Sequence, residues 1–509
     1  MTEQAATNLF SRISATISDP QAPLIHQSDG TIITYGDMLK RSAQFANVLV
    51  GLGVQPGDRV AVQVEKSIDA LFLYLGCVRA GGVFLPLNTG YRDKELAYFI
   101  GDATPRVFVC SPDRKIALDE LIRTNNVAHL ETLADGAGSL ADKADEADTT
   151  FSTIERRDDD LAAILYTSGT TGRSKGAMLS HDNLASNSLM LSDYWQFTKK
   201  DVLIHALPIF HTHGLFVASN ITMLAGASMI FHKSFNLDDV LAALPRATAM
   251  MGVPTFYVRL LSSPDLDHDL VRHMRLFISG SAPLSPEVHK EFEKRTGHTI
   301  LERYGMTETN MNTSNPYDGE RRPGTVGFAL PGVEVRICDQ ATGKPVKNGD
   351  VGMLEIRGPN VFKGYWQMPE KTAEEFRDDG FFISGDLARV DEDGYIAIVG
   401  RDKDLIISGG FNVYPAEVEN AIDAIDGIAE VAVIGVPHAD FGEGVTAIVV
   451  AANDNAPDAD EIIRHLSADM AKYKVPKKVF FTDALPRNKM GKIQKNQLRE
   501  EYRNTYVDS

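Results

Sequence analysis

The chain has 509 residues, 43% hydrophobic and 24% charged, too long for one hydrophobic core and ordinary in composition for a globular protein. Its 51 Lys+Arg against 69 Asp+Glu leave a net charge of −18. That balance argues against non-specific nucleic-acid binding but leaves room for a local basic pocket.

The opening "MTEQAATNLFSRIS" lacks a basic stretch followed by an apolar run, so no secretory signal is expected. The most apolar region, Leu71 to Leu87, is broken by Arg79, Gly81 and Gly82, and no membrane span is predicted. Cys77, Cys110 and Cys338 lie far apart without metal-ligand spacing, and are expected as reduced core residues of a cytoplasmic protein. Strand-like runs recur at 59–64, 83–87, 106–111, 161–168 and 275–281 with helix-like stretches between them, which predicts α/β layers around buried sheets. The polar, acidic stretch 134–150 reads as a surface loop or linker. From Gly400 the texture changes: a charged knot "GRDKD", a strand, a double glycine, and Pro415 opening a helix. The predicted architecture is a large multi-layer α/β domain over 1–400, a joint at 401–403, and a small α+β domain over 404–509.

The segment "ILYTSGTTGRSKGAMLS" (164–180) looks like a phosphate loop, yet it fails the Walker pattern. Counting from Gly169, the second glycine should fall where Ser174 stands, and Lys175 is followed by Gly176 rather than by Ser or Thr. What remains is a strand running into Thr167, Ser168, Thr170, Thr171 and Ser174, with Gly169, Gly172 and Gly176 between them. Glycines let backbone N–H groups approach an anion, hydroxyls add donors, and Lys175 adds charge.

"YTSGTTGRSKG" resembles the signature of the adenylate-forming acyl-CoA synthetase superfamily, and further motifs of that family follow in order along almost the whole chain. The resemblance implies that Thr167, Ser168, Gly169, Thr170, Thr171, Gly172 and Lys175 hold the β- and γ-phosphates of ATP. "GSAPL" (280–284) implies an adenine-side turn with Ser281, Ala282 and Pro283. "ERYGMTE" (302–308) adds Glu302, Tyr304, Gly305 and Met306 at the base, Thr307 at the α-phosphate and Glu308 at Mg²⁺. Asp386 in "ISGDLARV" and Arg401 in "GRDKD" are implied at the ribose, with Lys403 as hinge; Lys492 in "LPRNKMGKIQK" is the adenylation lysine. In the family the small domain is mobile: its rotation replaces the Lys492 face by the face bearing "SGGFNVYP". Gly409, Gly410 and Phe411 there, together with Lys474, are expected at coenzyme A. Lys492 is further expected as a target for a lysine acyltransferase.

The residue before "YGMTE" lines the acyl pocket in relatives and is usually small or apolar; here it is Arg303. A guanidinium beside an apolar tail is buried and unpaired, at a cost on the order of several kcal/mol. A second carboxylate on the acid removes that cost. With His211, Thr212 and Met311, Arg303 resembles the pocket of the malonate-activating members. The implied reaction couples malonate to coenzyme A through malonyl-AMP, with pyrophosphate and AMP released. A structural salt bridge from Arg303 to Glu302 or Glu308 would leave another acid in the pocket, such as methylmalonate, another short dicarboxylate or an aromatic acid. A P-loop ATPase or kinase is disfavoured by the broken Walker pattern, and a non-catalytic relative by the presence of Lys492, Glu308 and Asp386.

Overall fold

The computed structural model describes residues 7–167, 174–408, 411–438, 440–453, 456–488 and 491–506. Ser168, Gly169, Thr170, Thr171, Gly172, Gly409 and Gly410 lie outside the described residues.

Each predicted strand run forms a strand, and its apolar continuity has the expected cause. Arg59–Gln63, Val83–Pro86, Val107–Cys110 and Leu161–Thr167 are buried almost throughout and belong to one six-stranded sheet. That sheet is parallel until Leu161–Thr167 turns back on Lys175–Ser180 in an antiparallel pair. A nine-stranded sheet carries the parallel run Ser228–Phe231, Val202–His205, Ala249–Gly252, Leu276–Ser279 and Leu301–Met306 at its centre. Parallel strands feed their C-terminal ends to one edge, where side chains from several loops converge. The loops after Val202–His205, Leu276–Ser279 and Leu301–Met306 bring His211, Ser281 and Thr307 to that edge.

A four-stranded antiparallel sheet, Glu334–Cys338 to Ile396–Arg401, follows and ends on a 3₁₀ turn at Asp402–Asp404. The last hundred residues build a separate sheet around the long hairpin Ile428–His438 and Gly442–Ala451, covered by helices Pro415–Asp423 and Ala459–Asp469. Its core, including Val418, Ile422, Val433, Val445 and Leu466, is distinct from those of the larger part. The three cysteines are buried and free. Among the described residues no helix is long and apolar enough to cross a membrane.

The stretch 134–150 departs from the expected loop. Ser139–Glu146 is a helix with Leu140, Ala141 and Ala144 buried. Those positions share one helical face, while the acidic residues between them obscure the pattern. Lys143 on this helix pairs with the buried Glu131 at 2.6 Å.

Candidate active site

On the nucleotide side, Tyr304 ends the strand Leu301–Met306 with its hydroxyl donating to Asp386 Oδ2 at 2.5 Å. Arg401 Nε meets the other oxygen, Oδ1, at 2.7 Å. Burial and the Asp386 charge push the Tyr304 phenol well above its ordinary pKa, so it remains a donor. Asp386, Tyr304 and Arg401 thus meet from three strands. The Glu302 side chain points to the face opposite Arg303, as neighbours on a strand do, and contacts His289 Nδ1 at 3.4 Å and the Gly324 N–H at 3.2 Å. Ser281 has φ +74°, a left-handed conformation uncommon outside glycine. Its hydroxyl lies 3.2 Å from His213 Nδ1. Ala282 and Pro283 continue the same turn, and Met306 Sδ accepts weakly from Tyr304 at 3.7 Å. Gly305 has no room for a side chain, because a Cβ would overlap the Asn310 carbonyl.

Lys175 is paired rather than open. Its ammonium meets Glu375 Oε1 at 2.8 Å and lies 4.0 Å from the centre of the Tyr365 ring. Tyr365 donates to Glu375 Oε2 at 2.6 Å, and its hydroxyl lies 3.2 Å from Glu308 Oε1. Thr167 Oγ1 reaches the same Glu308 oxygen at 3.4 Å. Burial pushes the Glu308 carboxyl up, against its own backbone N–H and the charges of Lys175 and Arg401. Among the described residues no group of three or more His, Cys, Asp or Glu side chains could hold a metal. A hard carboxylate oxygen at Glu308 fits Mg²⁺, which commonly takes one or two protein carboxylates with substrate phosphates and water.

On the acid side, Arg303 is 3% exposed and its Nε and Nη2 have no partner among the described residues. Among the described residues no carboxylate forms an ion pair with it, so the alternative bridges to Glu302 and Glu308 are not made. Burial pushes its pKa down. Gly280 packs so closely that a Cβ there would overlap the guanidinium. Thr212 Oγ1, His213 Nε2 and Ser279 Oγ are also buried without partners. Burial, with Lys492 and Arg303 nearby, lowers His211 to about 3. The neutral ring accepts the His213 N–H at Nδ1, 3.4 Å away, which leaves the proton on Nε2 to donate. Met311 is 2% exposed beside this group.

Lys492 enters from the small domain on a turn whose backbone bonds Asn488. Burial first, and then the charges of Arg401 and Arg303, lower it to about 8 against the opposing Asp386 and Glu308. One ammonium therefore feels the charges of both sides of the cleft.

The regions so arranged match known proteins. Residues 15–366 match the AMP-binding enzyme family, and 417–492 the AMP-binding enzyme C-terminal domain.

The chain belongs to the AMP-binding enzyme family.

It is 37% identical over 482 residues to a feruloyl-CoA synthase of Amycolatopsis sp, covering 93% of this chain and 94% of that one. It is 32% identical over 534 residues to a malonate–CoA ligase of Arabidopsis thaliana, covering 94% and 86%. ATP-bound MatB from Rhodopseudomonas palustris is 60% identical and superposes with a TM-score of 0.96, covering 98% of this chain and 100% of that one. The apo form of MatB superposes at 0.85 with the same coverage.

Sequence reasoning missed His213, Ser279, Tyr365 and Glu375. His213 had a visible sign, a second histidine two residues after His211. The others are joined to the site only through long-range contacts. Phe411 is 56% exposed and stacks on Tyr473 with ring centres 4.7 Å apart. Lys474 pairs with Glu417 at 2.5 Å, and Lys403 is exposed. Phe411 and Lys474 make these contacts within the small domain, while Lys403 follows the cleft residue Arg401 and feels its charge and that of Asp386.

Proposed function

We propose that the chain is an ATP-dependent malonate–CoA ligase, AMP-forming, with ATP, malonate and coenzyme A as its small-molecule substrates. Malonate displaces pyrophosphate from ATP to give malonyl-AMP; the thiol of coenzyme A then takes the malonyl group and AMP departs. The single observation that carries the choice of acid is Arg303, buried with unpartnered donors where an acyl tail would lie. The likeness to MatB and to the malonate–CoA ligase supports it.

Arg303, His211 and Thr212 bind the distal carboxylate, and Met311 limits the length of the acid. Asp386 and Arg401 orient the ribose, and the Tyr304 ring and the turn at Ser281, Ala282 and Pro283 face the base. Thr307 and Lys492 stabilise charge on the α-phosphate, where donors fixed in advance act most strongly. Glu308 would hold Mg²⁺, which when bound would neutralise phosphate charge. Thr167, Lys175 and the loop between them hold the departing pyrophosphate. The working division is an acid- and ATP-binding domain over 1–400, a hinge at 401–403 centred on Lys403, and a mobile domain over 404–509. Its rotation brings Gly409, Gly410, Phe411 and Lys474 to coenzyme A. The lowered pKa of Lys492 leaves part of its amine uncharged near neutral pH, which supports acylation there by a lysine acyltransferase.

A panel of acids assayed for AMP release, with and without coenzyme A, tests this reading. Malonate should give the fastest release of AMP and pyrophosphate. A monocarboxylic acid that outpaced it would overturn the choice of acid, and release of ADP would overturn the reaction.

A further inference from the structure

A buried lysine lies behind the acid side with no part in the chemistry above. Lys66 follows the strand Arg59–Gln63 and is 7% exposed. Its ammonium meets His205 Nδ1 at 2.9 Å and the His205 carbonyl at 2.8 Å, and lies 4.1 Å from the centre of the Phe231 ring. Among the described residues no carboxylate pairs with it. With no counter-ion, burial pushes the Lys66 pKa well down, and His205, through Nδ1 and its carbonyl, is the partner that holds the Lys66 Nζ. The Gly214 carbonyl, which can only accept, lies 2.9 Å from His205 Nε2, with Ser219 Oγ at 3.1 Å, so the ring proton sits on Nε2 and Nδ1 accepts from Lys66. Ser219 Oγ donates to the same carbonyl at 2.9 Å.

Gly214 is the second residue of a π-helical turn, His213–Ser219. Such wide turns are rare and concentrate at functional sites. This one starts directly after His211 and Thr212 and contains His213. Gly214 itself is crowded: a Cβ would overlap the Pro208 carbonyl. The turn cannot relax on that side, and its carbonyl is pinned on the other by His205 and Ser219.

We propose that Lys66 is a positioning residue for acid recognition: acting through His205 on the Gly214 carbonyl, it fixes the turn that aims His211, Thr212 and His213 at the acid beside Arg303. The proposal rests on the acid-side assignment of those residues. It is read as a ratio of variant to wild type, using whichever acid wild type prefers. A wrong choice of malonate therefore shows in the wild-type panel and not in this ratio.

Two variants test it. Lys66→Met removes the first link. His205→Asn leaves an amide oxygen near the Nδ1 position to accept from Lys66, so the lysine stays partnered, but it loses the donor to Gly214. Each should raise the KM for the acid roughly tenfold, as expected for losing a buried hydrogen bond or its onward link. The KM for ATP should stay within about twofold. The double variant should be little worse than either single one, because both cut the same chain. An unchanged acid KM in folded His205→Asn overturns the proposal, as does an equal rise in the KM values for acid and ATP. Should Lys66→Met fail to fold, His205→Asn decides alone.

Discussion

The two sides of the cleft are built on opposite principles. On the nucleotide side the charges are already matched: Asp386 takes both Tyr304 and Arg401, and Glu375 takes both Lys175 and Tyr365. On the acid side, Arg303 Nε and Nη2, Thr212 Oγ1, His213 Nε2 and Ser279 Oγ are buried without a partner among the described residues. A buried polar group left unsatisfied costs about 1–3 kcal/mol, more if charged, so such a cluster is stable only if something completes it. The nucleotide side is an organised frame that a substrate joins. The acid side offers donors without protein partners, the strongest of them a guanidinium, and so favours an anionic substrate.

Lys492 spans both sides, and its removal should have the largest effect. Lys492→Ala should slow formation of malonyl-AMP by roughly 10²–10³-fold or more, the loss typical of a donor aimed at developing charge. Thioester formation from supplied malonyl-AMP should persist, since the proposed rotation of the small domain carries this lysine away before that step. Measuring the half-reactions separately checks this; equal losses in both would remove Lys492 from its special place.

Arg303→Leu cuts only the acid side. Removing one partner of a buried charge pair costs roughly 3–5 kcal/mol, or about 10²–10⁴-fold in kcat/KM with malonate. The same change lines the pocket with methyl groups, so butyrate should gain relative to malonate. ATP binding by calorimetry should be unchanged, because Asp386, Tyr304 and Arg401 are untouched. A Leu variant that retained malonate activity would erase the contrast between the two sides.

Much of this contrast was legible in the sequence, though not all of it. Arg303 stood out because a charged residue occupies a position where relatives are apolar, and the predicted strands formed because continuous apolar runs suit sheets covered on both faces. The helix Ser139–Glu146 escaped notice because its buried face is small, Leu140, Ala141 and Ala144, amid acidic neighbours. The partners of the site were less visible still. Lys175 and Glu375 lie 200 residues apart, and Lys66 and His205 lie 139 apart. Nothing local marks Glu375 or Lys66, each of which has an ordinary sequence neighbourhood; only the folded sheets bring the partners together. Lys175 was expected to be open to phosphate, and its pairing with Glu375 could be learned only from structure.

The pH dependence should report the shared position of Lys492. Burial lowers its pKa to about 8, so the ammonium needed for adenylation is complete below that pH and is lost as pH rises through it. In the free enzyme kcat/KM for ATP should fall by about tenfold per unit above pH 8. Lys492→Arg, which keeps its charge, should move the fall to higher pH. For stability the sign is opposite: the cost of burying the ammonium is carried in full below about 8 and is relieved between there and the ordinary value of 10.5. A profile flat through pH 9 for adenylation would mean that Lys492 is not the titrating group.

The smallest effect should come from Tyr304→Phe, and its smallness is informative. The ring remains to face the base, and only the hydroxyl that donates to Asp386 is lost. Asp386 keeps Arg401 at 2.7 Å, and its N–H still bonds Ser384 Oγ at 3.0 Å, so the carboxylate has little freedom to turn. A single hydrogen bond of this kind is worth about 1 kcal/mol, which corresponds to roughly a fivefold rise in the KM for ATP. The ratio of malonate to butyrate turnover should not move, because Arg303 lies on the other side of the cleft. A large loss would show that the nucleotide frame depends on one hydroxyl and is not multiply held. A changed acid ratio would show that the two sides are coupled through the Leu301–Met306 strand, on which Arg303 and Tyr304 are adjacent.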